Sequence, residues 1–400
     1  MSPKKAHEVS RMSEYIHHLT TSVPQFHDVR YIVDVGAGQG YLSRALCDLG
    51  FHVLALDGDT GQTEGAKRRD DAKSKGSKPK ASQSYAKLPT KGSLTHKTLY
   101  INSTTLKDAV SSWIDDPRAA IDRPAPSVLF VALHACGSLT PDIYRAFLDL
   151  QRSRNGNTAE KWSPAGAVIV GCCYNLMDAA VDFPLSREFA SCPRLTSSHL
   201  QLATQMPSHW FDTPTSRASA ELAVKKVVYR ALLEPFLQAS ASAQAPDRLN
   251  IPPTPSGTEP EPGPEARKAR IGRLPDRIYT SFPNFCSHAF TRLGLEPSTH
   301  SFDSLPTLST DENVPMPLAE AQKRLEVLHT LRCILGPCIE SLILLDRLAW
   351  LRENLCSDSM EEKDAEWDVE LVGLFDQALG SARSFALVVV PGEAKPKTGS

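Results

Sequence analysis

The run Tyr31–Gly50, YIVDVGAGQGYLSRALCDLG, constrains this chain more than any other stretch. It opens with a short apolar, β-branched segment, continues with glycines at alternate positions and closes with apolar residues at helical spacing. That order predicts a buried strand, a tight turn and a helix. Gly36, Gly38 and Gly40 open backbone conformations closed to other residues and let backbone N–H groups approach a ligand. A second apolar run, FHVLALDGD, places Asp57 21 residues after Gly36. An acid there is positioned to accept hydrogen bonds from ribose hydroxyls.

Spacing separates two kinds of nucleotide-like cofactor. The dinucleotide fingerprint is G-x-G-x-x-G and seats a pyrophosphate on a helix N-terminus, whereas this turn reads G-x-G-x-G with Asp34 two residues ahead. S-adenosyl-L-methionine has no pyrophosphate, and its sulfonium and amino group favour a nearby acid. Asp34 is assigned that role. Gly36, Ala37, Gly38 and Gly40 make room for the amino-acid and ribose portions, and Asp57 holds the ribose, with Asp59 a weaker stand-in. Either part alone has a plainer reading, a tight connection or a helix cap; the combination is far more specific.

Further strands are read at KTLYINSTTL, SVLFVALHACG and AGAVIVGCCYN, with helical segments between them. The last two are near-continuous apolar runs, as in a parallel sheet buried on both faces. The expected fold class is α/β, a Rossmann-like doubly wound, mostly parallel sheet of the class I methyltransferase type, with disordered insertions and a helical C-terminal extension. The expected division is an N-terminal helical segment over 1–27, a methyltransferase domain over 28–238, a Pro-rich flexible linker over 239–270 and an extension over 271–400 whose last strand, SFALVVV, completes the sheet. Within the domain, 67–97 carries ten basic and two acidic residues with few large apolar ones, which predicts a disordered basic insertion.

Ligands in open α/β sheets gather beyond the carboxyl ends of the strands, where this chain has LHACGSLTPD and GCCYNLM. Leu133 and His134 are placed at the cofactor. His134 also suits removal of a proton from an attacking hydroxyl or amine, against the alternative of a structural histidine. Cys136, Cys172 and Cys173 read first as small packing groups. A four-ligand metal set with His134 is the lesser reading, because adjacent cysteines rarely both reach one tetrahedral ion, and no metal is expected. Tyr174 and Asn175 are assigned to the substrate, by ring stacking and by the amide; the alternative is a polar cap on a strand end.

A formal charge of -2, from 44 basic and 46 acidic residues, excludes a global commitment to nucleic acid or anionic membrane. Nine scattered cysteines and an N-terminus without an apolar core fit a reducing intracellular compartment, cytoplasmic or nuclear. The late apolar stretch Leu331–Leu351 contains Arg332, Glu340, Asp346 and Arg347, too many charges for a lipid-facing span. It is read as an amphipathic helix turning Leu335, Ile339, Leu342, Ile343 and Leu345 to a core.

MSPKKAHEV, VDVGAGQGYLSRALC, LHACGSLTPD, GCCYNLM followed by FPLS, and LILLDR together resemble the methyltransferase-like protein 25 family, which includes the proteins called ribosomal RNA adenine dimethylase domain-containing. The resemblance runs from Ser2 to about Val390. It implies a Rossmann-like methyltransferase domain with Asp34, Gly36, Gly38, Gly40 and Asp57 as cofactor positions, and it leaves the substrate open. Two departures bear on this. MSPKK, which follows a longer region in the family, stands here at Met1, as in a short version lacking a substrate-binding part. No D/N-P-P-Y motif follows the fourth strand, which counts against adenine dimethylation, while H-x-C-G with a later cysteine pair is similar to tRNA 2′-O-methyltransferases. The reading is therefore methyl transfer to a macromolecule, RNA before protein, with RNA contact through Lys73, Lys75, Lys78 and Lys80. Protein methylation and a non-catalytic cofactor-binding or assembly module are the alternatives, and no membrane partner is expected.

Overall fold

The computed structural model describes residues 1–76, 92–115, 126–155, 161–205, 213–243, 271–295, 316–356, 367–377 and 383–392, with single positions 302, 304, 305 and 381. The chain divides into two compact units, Met1–Met206 with Leu335–Ser400, and Pro207–Ile334. The expected boundary at 238 is thereby corrected. Residues 207–334 form a unit of their own, and only the part after Leu335 extends the first.

The first unit opens with helix α1 (Pro3–Ser22), whose Ser2 hydroxyl accepts from the Lys5 N–H and whose proline stands in the first turn. Val9, Met12, Ile16 and Leu19 recur at helical spacing and are buried. Then come β1 (Tyr31–Val35), α2 (Tyr41–Asp48), β2 (His52–Asp57), α3 (Thr60–Gly76), β3 (Ser93–Thr98), α4 (Ser103–Ile114), β4 (Ser127–Cys136), α5 (Leu139–Asn155), β5 (Ser163–Cys172) and α6 (Ser197–Leu202). After α7 (Pro214–Ala243) and α8 (Phe282–Leu293), α9 (Leu318–Leu355) leads to β6 (Trp367–Gly373) and β7 (Phe385–Pro391).

The strands form one sheet in the order β3-β2-β1-β4-β5-β7-β6. β1 to β5 run parallel, and β7 lies antiparallel between β5 and β6. The last strand thus joins the sheet, but the edge belongs to β6, which the sequence reading missed. The central strands are buried on both faces. Val128, Phe130 and Ala132 pack among α4 and α5, while the alternating Leu129, Val131 and Leu133 pack with residues of α1 and α2.

Two expectations in the basic region change. Residues 67–76 belong to α3 and Ser93–Thr98 form β3, so helix and strand occupy both ends of the supposed insertion, and 77–91 lie outside the described residues. KTLYINSTTL is not a strand beyond Thr98. Asn102 and Thr105 exchange hydrogen bonds in a capping box that starts α4. The expected linker begins later than 239, since α7 reaches Ala243, and 244–270 lie outside the described residues.

Among the described residues, α9 is the one helix long and apolar enough to cross a membrane. Its Ile343, Leu344 and Leu351 are buried in protein, as are Asp346 and Arg347. Leu335 and Leu345, expected in the core, are instead 51% and 46% exposed. The second unit has its own aromatic core, in which Phe282 touches Tyr229, Phe236 and Phe285.

Candidate active site

A cavity of about 610 Å³ lies in the first unit at the carboxyl ends of β1, β2 and β4. Asp34, Gly36, Ala37, Gly38, Asp57, Leu133, His134 and Cys136 all line it, which gathers most of the residues singled out from the sequence. Lys5, Tyr100, Ser138 and Leu176 also line it and were not anticipated.

The glycine turn is left-handed at Gly36, Gly38 and Gly40, a conformation that L side chains rarely adopt. At Gly36 a side chain would also meet Leu139 at 3.2 Å. The N–H groups, however, do not face a ligand. Those of Gly36 and Ala37 both donate to the Leu56 carbonyl at 2.9 Å, that of Gly38 donates to Asp57 at 2.7 Å and that of Gly40 to the Ala37 carbonyl at 2.9 Å. The glycines therefore contribute shape and space instead of donors. Asp57 takes hydrogen bonds from the Gly38 and Asp59 N–H groups, which leaves carboxylate lone pairs toward the cavity it lines. Asp59 accepts from the Gln62 N–H and caps α3, so it is no substitute for Asp57.

Asp34 is buried and accepts a 2.5 Å hydrogen bond from the Ser43 hydroxyl. Burial pushes its carboxyl up to about 6, opposed by the Ser43 bond and reinforced by the charge of Asp57. A cation brought into the cavity would favour the ionised form of Asp34.

His134 stands on β4, and its Nε2 lies 3.3 Å from the Glu8 carboxylate of α1. The other Glu8 oxygen accepts from the Ser381 hydroxyl at 3.0 Å. Glu8 is nearly fully buried; desolvation would raise its carboxyl, but bonding and charge from His134, with the Ser381 bond, hold it below the usual range. A buried ionised carboxylate thus orients the imidazole on the cavity wall. The capping serine and apolar spacing announced the helix that carries Glu8, but nothing announced its partner.

Two assignments fail. Tyr174 is 1% exposed, donates to Glu340 at 3.3 Å and has the guanidinium groups of Arg347 and Arg383 5.5 and 5.2 Å from its ring centre. It is a core residue that no substrate can stack upon. Asn175 is exposed but does not line the cavity, where its neighbour Leu176 stands instead. Buried polar support surrounds this turn. Asp346 accepts from the Leu185 and Ser186 N–H groups and from the Ser186 hydroxyl, so FPLS and LILLDR meet. Arg347 reaches Met177 of GCCYNLM. The Ser138 hydroxyl donates to Asp182, which also takes a bond from Arg145.

Cys136 and Cys172 are paired in register across β4 and β5, with their sulfurs 3.2 Å apart. A hydrogen bond from Cys172 draws the Cys136 thiol down to about 6, against desolvation and with help from Cys173 and the charge of His134. The same pairing pushes Cys172 far up.

The parallel sheet with an antiparallel edge pair, the glycine turn and the acid ending β2 define a Rossmann-like fold of the class I methyltransferase type. A family model described as "Methyltransferase domain" matches residues 4–180. The chain is 26% identical over 283 residues to "Probable methyltransferase-like protein 25" of Homo sapiens, covering 66% of this chain and 36% of that protein. It is 26% identical over 278 residues to the protein of the same name in Mus musculus, covering 66% and 37%. Among solved structures, the "DhpI-SAH complex structure" is 16% identical with a TM-score of 0.17, over 42% of this chain and 67% of that one. The chain is similar to the methyltransferase-like protein 25 family, and the matched stretch spans little more than a third of those relatives' length.

S-adenosyl-L-methionine is the cofactor of such a domain, and the residues present fit it. The cavity volume suits a nucleoside-sized ligand. A side chain at Gly38 would project into open space, so the turn leaves room there. Asp34, Asp57, Asp59 and Asp142 line the cavity, and the N–H groups of the glycine turn are bonded within the protein, which suits a cation better than a pyrophosphate.

Proposed function

We propose that this chain is an S-adenosyl-L-methionine-dependent methyltransferase acting on a macromolecule, with RNA as the acceptor. The observation that carries the reading is one cavity bounded by the glycine turn, Asp34 and Asp57 and also by His134. When bound, the cofactor supplies an electrophilic methyl group. Asp34 and Asp57 favour its cationic and hydroxyl portions, and Leu133, Leu139 and Leu176 limit water at the cavity wall. His134, held by Glu8, accepts the proton released when an acceptor hydroxyl or amine is methylated. Proximity and alignment supply most of the remaining acceleration.

RNA is favoured by Tyr100, an aromatic 82% exposed on the cavity wall where a base can stack, and by the nearby Lys5. The basic stretch through Lys73, Lys75, Lys78 and Lys80 is the proposed phosphate contact. The cysteines, which form no disulfide among the described residues, support an intracellular setting, cytoplasmic or nuclear.

Calorimetric titration with S-adenosylhomocysteine tests the cofactor site. Micromolar affinity is expected, lost by about a hundredfold or more in the Asp34→Ala, Gly36→Arg double variant, whose arginine is strained and crowds Leu139. A folded wild type that binds none would leave an assembly module as the better reading. Labelled transfer in cell extract then separates acceptors: nuclease-sensitive label supports RNA, and nuclease-resistant, protease-sensitive label supports protein.

A further inference from the structure

Three cysteines meet beside this cavity, Cys136 on its wall, in a way that packing does not explain. Cys136 ends β4 and Cys172 ends β5, side by side in the sheet. In a continuing strand the next residue, Cys173, would point to the other face. It does not continue the strand: Cys173 has φ 47° and ψ 47°, a left-handed conformation adopted by no other non-glycine among the described residues. For a non-glycine that conformation is strained. The reversal brings all three sulfurs within 4.8 Å of one another. It removes the objection that adjacent cysteines cannot both reach one ion. Cys136 is exposed and lines the cavity, so the trio is not buried apolar filling.

We propose that Cys136, Cys172 and Cys173 bind one zinc-class ion through three thiolates, with the fourth coordination position open to the cavity. Tetrahedral zinc with Zn–S bonds of about 2.3 Å sets its sulfurs about 3.8 Å apart, so the observed cluster needs only side-chain adjustment to close on an ion. Soft thiolates select zinc, cadmium or copper(I) over magnesium or calcium. Three protein ligands and one free position are the arrangement of a metal that takes an exogenous ligand. His134 is already held by Glu8 and is not needed as the fourth ligand.

The test uses the full chain, reduced and anaerobic, titrated with Co²⁺. One equivalent is expected to give thiolate-to-cobalt charge-transfer and tetrahedral d–d bands, displaced by equimolar Zn²⁺ and shifted by added imidazole. Cys136→Ser and Cys173→Ser should each weaken binding at least tenfold, whereas Cys356→Ser should leave it unchanged. Should a variant fail to fold, alkylation of the wild type gives the same answer: zinc should protect Cys136 and Cys173, mapped by peptide mass spectrometry. No stoichiometric uptake by the folded wild type, bands retained in both variants, or zinc-independent alkylation would overturn the site. Bands indifferent to imidazole would overturn its open position. Cofactor affinity is read separately, so failure here leaves the methyltransferase reading intact.

Discussion

The glycine turn and the His134 wall bound the same cavity, yet they are assembled over very different lengths of chain. Gly38 and Asp57, whose hydrogen bond closes the turn, are 19 residues apart. His134 is oriented by Glu8, 126 residues away, and Glu8 by Ser381, a further 373 residues from it. The turn is therefore complete once β1 and β2 pair, whereas the wall needs α1, β4 and the segment before β7. Cofactor binding and proton transfer should respond to different mutations.

His134→Ala offers the sharpest test of that separation. Labelled methyl transfer to extract RNA should fall about a hundredfold or more, while S-adenosylhomocysteine affinity changes less than about threefold. Glu8→Gln should fall less and in the same pattern, because it leaves the imidazole present but poorly oriented. An equal collapse of cofactor affinity in both would merge the two regions into one.

Asp346→Ala probes the support beneath the turn after β5. It removes the acceptor of two backbone N–H groups and a hydroxyl in a buried setting, so urea unfolding should show a loss of about 3 kcal/mol. Affinity for S-adenosylhomocysteine in the folded fraction should persist. Its loss would show that the glycine turn also depends on α9.

Asp34 tests the local region by pH. Its folded-state value of about 6 lies above the ordinary 3.8, so its ionisation costs stability as pH rises from about 4 through 6. A cationic cofactor favours the ionised form, and its affinity should weaken about tenfold between pH 7 and pH 5. Calorimetry on Asp34→Asn should show weaker binding with a flat profile. An unchanged slope would assign the titration to another group.

Tyr174→Phe should have the smallest effect. Loss of the bond to Glu340 should cost about 1 kcal/mol in urea unfolding, with methyl transfer unaltered. A large loss of transfer without loss of stability would restore Tyr174 to the acceptor site.

The strand–turn–helix and its acid were legible because their signals are local: β-branched runs, alternate glycines and a spacing that one βα unit dictates. The N–H directions were not, since Leu56 must lie beside the turn before its carbonyl can accept from Gly36 and Ala37. β3 and α4 were misplaced because Thr98 and Asn102 are both good extended-region residues, and only the capping box decides between strand and helix start. Tyr174 looked like a ligand-facing aromatic at a strand end. The short helical turn after Cys173 buries it against Arg347 and Arg383 instead.

By itself, the order of residues determined the α/β class, the cofactor turn, Asp34, Asp57 and the position of His134 at the end of a central strand. These depend on periodicity and on contacts between neighbours in one βα unit, which short-range pattern records. Only the tertiary structure decided that Glu8 and Ser381 hold His134, that residues 207–334 form a separate unit and that β6 takes the sheet edge. It alone gathered Cys136, Cys172 and Cys173, because a single left-handed residue redirects a side chain that strand alternation would send to the other face.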